Sequence, residues 1–307
     1  MGIDHHNLRL LAHAQDLGAG FGRTLAIGRQ ALHVEARSLQ SLQRMRGLPP
    51  LKQPPAEPGR PAYFEPLLQQ WFGASQTDAV DASAYEGAGL VHDMNLPWPA
   101  ALPGQGHYDA VLDFGCLEHV FDFATAWRNV VGCVRVGGHV LHALPANNLS
   151  GHGFYQFSPE LFFNLYQPGR GFELQALYLA LTADGRHWWR VASPLERRRR
   201  VTLCNGHEAY LLVVARKLRE AGPQPPPQQS DYAHSDWQGL GPATSAPAGQ
   251  ARRGPSRLQA PLAALGLLDA ARRARARWQA LRGAALALPG PDHERVGLDA
   301  LMRRGAR

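Results

Sequence analysis

Residues 108–148 read YDAVLDFGCLEHVFDFATAWRNVVGCVRVGGHVLHALPANN and divide into four parts. Residues 108–114 are mostly apolar and bounded by Gly106-His107 and Gly115, which predicts a strand buried on both faces. Residues 117–134 carry Leu117, Val120, Phe121, Ala124, Trp127, Val130, Val131 and Val134 at helical spacing, which predicts one helix. Gly137-Gly138 reads as a tight turn, and residues 139–144 as a second apolar strand that stops at Pro145. Strand, helix, turn and strand make one right-handed crossover unit of an open parallel sheet, so the fold class is α/β.

Ligands of such sheets bind outside the carboxyl ends of the strands. Here those ends carry Asp113, Phe114, Gly115, Glu118 and His119, then Asn147 and Asn148. A strand reading YDAV-x-D, then LEHV, a helix, GG and a strand ending in Pro resembles the second half of the Rossmann-like (class I) methyltransferases that use S-adenosylmethionine (SAM). The resemblance covers residues 23–218. It implies a Rossmann-like seven-stranded, mostly parallel sheet flanked by helices, with an antiparallel last strand inserted beside the fifth. It also implies SAM as cofactor.

The first half of such a fold lies upstream. Residues 7–16 are predicted helical, and the following DLGAGFG imitates a nucleotide-binding loop. It follows no buried strand and lacks an acidic residue roughly 20 positions on, so it reads as a connector. The better first strand is residues 23–27 (RTLAI), followed by Gly28-Arg29-Gln30 and a helix expected over 32–45. Backbone N–H groups at that turn can face a ligand, which makes Gly28, Arg29 and Gln30 candidate cofactor contacts. The GRQ turn holds one glycine where the methyltransferases usually have two or three. Residues 48–61 are a proline-rich loop, and residues 62–72 a further helix.

A second strand, 77–80, ends at Asp81, placed to accept hydrogen bonds from ribose hydroxyls; capping the next turn is its plainer role. A third strand, 89–92, ends at Asp93. The resemblance implies that an acid there contacts the adenine amino group and that Met94 covers the ring; a solvated loop aspartate is the alternative. Asp113, Phe114 and Gly115, ending the fourth strand, complete the candidate cofactor set.

Downstream, residues 149–166 are dense in ring and hydroxyl groups, including His152, Phe154, Tyr155 and Phe157, in a loop that leaves the fifth strand at the ligand face. Ser158-Pro159-Glu160 starts a helix. In related methyltransferases this region lines the acceptor pocket. Residues 171–181 are the sixth strand and 210–215 the seventh, separated by the irregular, basic RHWWRVASPLERRRR. There Trp188 and Trp189 either cover a sugar or base or form a hydrophobic clasp. The expected organisation is a methyltransferase-like domain over 1–218, a disordered Pro/Gln/Ser-rich linker over 219–256 and a basic amphipathic helical tail over 257–307.

The chain has 307 residues, 45% of them apolar, enough for a substantial core. Three unpaired-looking cysteines point to a reduced, cytoplasmic setting, and no apolar run reaches membrane-spanning length. The net charge is +7, yet residues 251–307 alone hold twelve Arg against four acids, a balance of +8 (12 − 4). The body is near neutral and the tail basic, a candidate contact for an anionic membrane surface or a partner protein. Nucleic-acid binding would rest on that tail alone and is disfavoured, because Arg, Ala and Pro are enriched throughout.

Methyl transfer from a sulfonium requires donor and acceptor held in line and, for some acceptors, removal of a proton. His119, His152 and Tyr155 are the candidate bases at the ligand face. Glu118 reads as a first-turn acid beside a helix dipole. No local run of His, Cys, Asp or Glu has metal-ligand spacing, so no metal is expected. The first expectation is therefore a SAM-dependent methyltransferase with a small-molecule or glycan-type acceptor. The second is a methyltransferase-like scaffold without catalysis, favoured by the GRQ turn. The third is a dinucleotide enzyme, disfavoured by the missing acid after GAGFG.

Overall fold

The structure, a computed structural model, describes residues 2–52, 61–203, 205–220, 222, 224–233 and 291–304. Its main strands are β2 (Arg23–Ile27), β4 (Gln76–Asp81), β5 (Leu90–Val91), β6 (Tyr108–Phe114), β7 (Val134–Asn147), β8 (Phe172–Leu181), β9 (His187–Val191), β10 (Ala209–Lys217) and β11 (His293–Gly297). Among the described residues these nine form one sheet in the order β11-β9-β8-β10-β7-β6-β2-β4-β5. From β5 to β7 every pairing is parallel; β10 runs antiparallel to both β7 and β8. The seven strands from β5 to β8 have the parallel run and the antiparallel insertion beside the fifth strand that the resemblance implies. The sheet is larger than expected by β9 and β11, both antiparallel additions at one edge.

Helices cover both faces. On one lie α1 (His5–Asp16), α2 (Ala36–Arg46) and α3 (Glu65–Phe72), sharing a core that includes Leu10, Leu42, Leu68, Leu112 and Leu141. On the other lie α4 (Phe123–Cys133) and α5 (Pro159–Leu165), with Ala126, Val130 and Phe162 packed against Val111, Val140 and Val213. Asp4 caps α1 by accepting from the N–H groups of His6 (2.8 Å) and Asn7 (2.9 Å). Ser158 caps α5, as its sequence predicts, with Pro159 in the first position.

Several local expectations need correction. The helix expected over 117–134 is two pieces: a 3-10 turn at Leu117–His119 and then α4. Asp122 separates them, because its Oδ1 accepts from Thr125 N–H (2.9 Å) and restarts the helix one residue later. Gly137-Gly138 is a bulge within β7, not a turn. The pairing with β6 jumps from Tyr108↔Val134 to Ala110↔His139, Gly137 has φ 83°, and a Cβ on Gly138 would lie 2.8 Å from the Asp109 carbonyl oxygen. Pro145 does not end the strand, since the β6 ladder stops at Ala143 and leaves that side of β7 unpaired. The helix expected from Leu32 starts at Ala36, because Ala31–Leu32 (β3) pairs instead with Gly2–Ile3 (β1).

The end of the chain also departs from expectation. The boundary drawn at Leu218 does not end the folded body. Residues 230–233 (α7, Ser230–Ala233), inside the expected linker, are held against α5: Ser230 N–H donates to Glu160 Oε1 (2.7 Å) and Asn164 Nδ2 to Ser230 Oγ (3.1 Å). Residues 293–297 are the edge strand β11, and α8 (Leu298–Arg304) buries Leu298, Leu301 and Met302 in the core shared with α1 and α2. The basic run at 197–200, which begins in the short helix α6 (Pro194–Arg197), anchors these segments. Arg199 forms a two-pronged pair with Asp292 (2.6 and 2.9 Å), and Arg200 donates to Asp231 (2.5 Å). The remainder of the expected linker and helical tail, residues 221, 223, 234–290 and 305–307, lies outside the described residues. Trp188 and Trp189 are fully buried, which makes them the clasp; Trp188 Nε1 donates to His6 Nδ1 (3.0 Å).

Candidate functional site

The sheet changes direction of travel at β2: β4 and β5 lie to one side, β6 and β7 to the other. A crevice at such a switch point, outside the carboxyl ends, is where this architecture binds ligands. Gly28 stands there with φ 73°, a conformation that suits glycine. A Cβ on Gly28 would meet Gln30 Nε2 at 3.7 Å, Cys116 Sγ at 3.9 Å and Asp81 Oδ2 at 4.0 Å. The first, second and fourth strands of the expected order therefore converge on one bare backbone position. Asp81 Oδ1 accepts from Ala82 N–H (2.7 Å), which turns the carboxylate along the rim. Burial pushes the Cys116 thiol well above its ordinary pKa, so it stays neutral beside Gly28.

The other expected cofactor contacts divide. Asp93 is exposed, with its carboxylate fixed by Asn95 through backbone (2.9 Å) and side-chain (2.8 Å) donors that hold its pKa down. Gly115 is half-buried with φ 87°. Met94, by contrast, is buried in the core and Phe114 is 2% exposed, so neither presents a face to a ligand. Arg29 is committed to Glu65 (2.7 Å), to the Glu86 carbonyl (2.8 Å) and to the face of Tyr63. Gln30 is fully buried and folds back, its Nε2 donating to the carbonyls of Ile27 and Gly28 (3.0 Å each). The turn after β2 is thus stitched by its own side chain.

Asp113 is also corrected: it is 0% exposed and both carboxylate oxygens are in use. The register pairs Asp113 with His142 across β6 and β7, and His142 Nδ1 lies 2.6 Å from Asp113 Oδ2. His142 Nε2 lies 2.6 Å from the Tyr166 hydroxyl, which also accepts from Trp127 Nε1 (3.3 Å). These partners assign the protons: Nδ1–H donates to the carboxylate and the tyrosine O–H donates to Nε2. Asp113 Oδ1 then accepts the N–H groups of Cys116 and Leu117 (3.2 Å each). A buried Tyr166–His142–Asp113 relay therefore fixes the turn that begins Cys116-Leu117-Glu118-His119. In the sequence, His142 is a lone polar group between apolar residues and Tyr166 lies 24 positions on (166 − 142), with nothing to pair them.

The candidate bases come together around a residue with a modest expected role. Glu118 is 1% exposed, and neither carboxylate oxygen has a hydrogen-bond partner. His119 Nε2 lies 3.8 Å and His152 Nε2 3.5 Å from Glu118 Oε1, with the two imidazoles 41% and 47% exposed. Their ring centroids are 5.1 Å apart. Burial, and then the Asp113 carboxylate, push the Glu118 pKa up to about 8, while burial and the neighbouring His152 lower that of His119. The loop carrying His152 is tied down by Phe154 and Tyr155 N–H groups, which donate to the Glu118 carbonyl (2.7 and 3.2 Å). Tyr155 spends its hydroxyl on the Phe121 carbonyl (2.7 Å) and so supports the loop. Phe121 and Phe154, 73% and 67% exposed, stand edge to face beside the pair, giving the site an apolar flank.

No family model and no curated protein matches the chain. Solved structures are similar to it over about two thirds of its length. 1,6-Didemethyltoxoflavin-N1-methyltransferase of Burkholderia thailandensis, with its substrate and S-adenosylhomocysteine bound, is 18% identical over 70% of this chain and 78% of that one, at TM-score 0.37. The 4+2 cyclase SpnF is 13% identical over 71% and 81%, at TM-score 0.38. The branched-chain polyamine synthase of Thermus thermophilus, with 5'-methylthioadenosine, is 14% identical over 70% and 56%, at TM-score 0.34. At these identities and scores, the likenesses assign neither activity nor ligand to this chain. Among the described residues, no helix is long and apolar enough to cross a membrane.

Proposed function

We propose that this protein is a SAM-dependent methyltransferase acting on a small-molecule or glycan-type acceptor. The observation that carries the proposal is the sheet order, with antiparallel β10 inserted between β7 and β8 and bare Gly28 at the switch point facing Asp81. The residues fit the cofactor in part. Gly28 leaves room for backbone approach, Asp81 is placed for the ribose hydroxyls, and exposed Asp93 for the adenine amino group. When bound, SAM supplies a methyl group already activated by its sulfonium.

The chain's own contribution lies on the acceptor side. The flank of Phe121 and Phe154 holds an apolar acceptor body, and His119 and His152 receive the proton of its hydroxyl or amine. The depressed pKa of His119 keeps it neutral at neutral pH, the form a base requires.

One observation favours a second proposal, a binding module without methyl transfer: Gln30 fills the turn after β2 and Arg29 is tied away from it. Titration calorimetry with SAM and S-adenosylhomocysteine separates the two. The enzyme proposal expects micromolar binding that Asp81→Ala weakens at least ~10-fold, the loss of one hydrogen bond to a charged group. Absence of binding by either ligand refutes it and leaves the module.

A further inference from the structure

We propose that Glu118, His119 and His152 form a site for one divalent first-row transition-metal ion. Each offers one ligand atom, and the three atoms lie within 4.8 Å of one another. The sequence conceals this set, because His152 is 33 residues beyond His119 (152 − 119) and reaches it only through the fold.

Three independent features of the structure point to an ion. First, Glu118 is a carboxyl group 1% exposed, with neither oxygen hydrogen-bonded. A buried carboxyl without hydrogen-bond partners is costly whether charged or neutral, and a metal ion taking the place of its proton satisfies it. The groups facing it are two imidazole nitrogens, which are metal ligands when neutral. Second, the spacing is close to what coordination needs. Tetrahedral bonds of about 2.0–2.2 Å put donor atoms about 3.3–3.6 Å apart. The Glu118–His152 and Glu118–His119 pairs stand at 3.5 and 3.8 Å and all three atoms lie within 4.8 Å of one another, so rotation of the two half-exposed rings closes the set. Third, the frame is rigid. The Asp113–His142–Tyr166 relay pins the turn under Glu118. Gly153 lets the second loop approach, since with φ 80° its added Cβ would lie 2.8 Å from the Glu118 carbonyl oxygen. That loop is tied to the same carbonyl by two N–H groups.

The donor set selects the ion. Two imidazoles and one carboxylate suit zinc or its first-row neighbours; calcium and magnesium prefer all-oxygen shells. Three protein ligands leave at least one position for an outside donor, the pattern of a reactive rather than a structural site. Beside the exposed rings of Phe121 and Phe154, that donor is the oxygen of a hydroxyl or carboxylate on an apolar molecule. Its role as the methyl acceptor rests on the function proposed above; metal binding itself does not. With the ion bound, His119 and His152 are ligands and the cation polarises the acceptor oxygen, replacing them as the groups that ease proton loss.

The full chain, stripped with a chelator, is titrated with Co2+ and then with Zn2+ in competition. The expected result is one equivalent of Co2+ with visible ligand-field absorption, displaced by one equivalent of Zn2+. Glu118→Gln, His119→Ala and His152→Ala should each weaken Zn2+ at least ~10-fold, as even outer-shell losses cost 10–100-fold. His33→Ala, on an exposed histidine elsewhere, should leave it unchanged. Should Glu118→Gln fail to fold by circular dichroism, the two exposed histidines carry the test alone. Absence of a stoichiometric site, or a site that His119→Ala and His152→Ala leave intact, overturns the proposal. SAM binding is read separately: metal without SAM sinks only the methyltransferase proposal, and SAM without metal sinks only this one.

Discussion

Tyr166→Phe removes one oxygen and no carbon from a side chain that is 1% exposed, so its effect isolates the buried relay. The lost hydroxyl leaves two groups without a partner. His142 Nε2, on a residue with 0% exposure, can reach no water and bears the full cost of an orphaned acceptor, about 1–3 kcal/mol. Trp127 Nε1, on a half-buried side chain, can turn to solvent and adds a few tenths at most. The sum is about 2 kcal/mol, or a melting point lower by about 4–8 °C for a body of this size. Urea unfolding followed by tryptophan fluorescence at pH 7.5 measures it, with an unchanged m-value as the sign that only stability moved. A change below about 0.5 kcal/mol, the range of an ordinary surface substitution, would refute the relay and with it the account of how the Glu118 turn is held.

Two further outcomes follow from the fold. His6 and His13 are buried, and burial lowers their pKa values from 6.5 to about 3 and about 4. His6 is fixed as the neutral tautomer, accepting from Trp188 at Nδ1 and donating from Nε2 to the Leu181 carbonyl. Between pH 6.5 and 4 the unfolded chain binds protons that these two folded histidines refuse, so their contribution to stability falls as pH drops through that window and is flat above it; Glu118, raised to about 8, acts in the opposite direction and offsets part of the change. From pH 6.5 to 5 the loss is about 2 kcal/mol for each histidine; melting points measured from pH 5 to 8 check it, and a level profile below pH 6.5 would contradict it. Met302→Ala, in a helix packed on α1 and α2, should cost about 2–5 kcal/mol by chemical denaturation, because its side chain is 0% exposed. A neutral outcome would contradict the packing of residues 298–304 in the core.

Much of the fold was legible because it is written in local pattern. The strands β2 and β6 stand where their apolar runs lie, and Ser158-Pro159 starts its helix as its residues demand. The order of alternating strands and helices implied a parallel sheet, and the resemblance in residues 108–148 implied the antiparallel insertion. Local chemistry that competes with a stronger pattern was missed. The apolar spacing of residues 117–134 hides the cap at Asp122, and Gly137-Gly138 signals a turn as readily as a bulge. Position along the chain was also a poor guide to position in space. The basic 197–200 run and the acidic residues 231 and 292 are far apart in sequence, and their pairing draws the tail back to the sheet.

The candidate site divides in the same way. Sequence alone placed Gly28, Asp81, Asp93, His119 and His152 at the carboxyl edge, because a parallel sheet sends every strand-ending residue there. Only the tertiary structure decided what those residues touch. It withdrew Asp113, Phe114, Gln30 and Met94 into the interior, since burial depends on what packs above a residue and not on its own polarity. It also set Glu118 between two histidines. The physical reason is register: the cross-strand pairing of β6 with β7 puts Asp113 against His142, which fixes the Glu118 turn, and the loop after β7 then carries His152 to it. A one-dimensional pattern records which face a residue takes, but two segments meet at a point only when the strands beneath them are aligned.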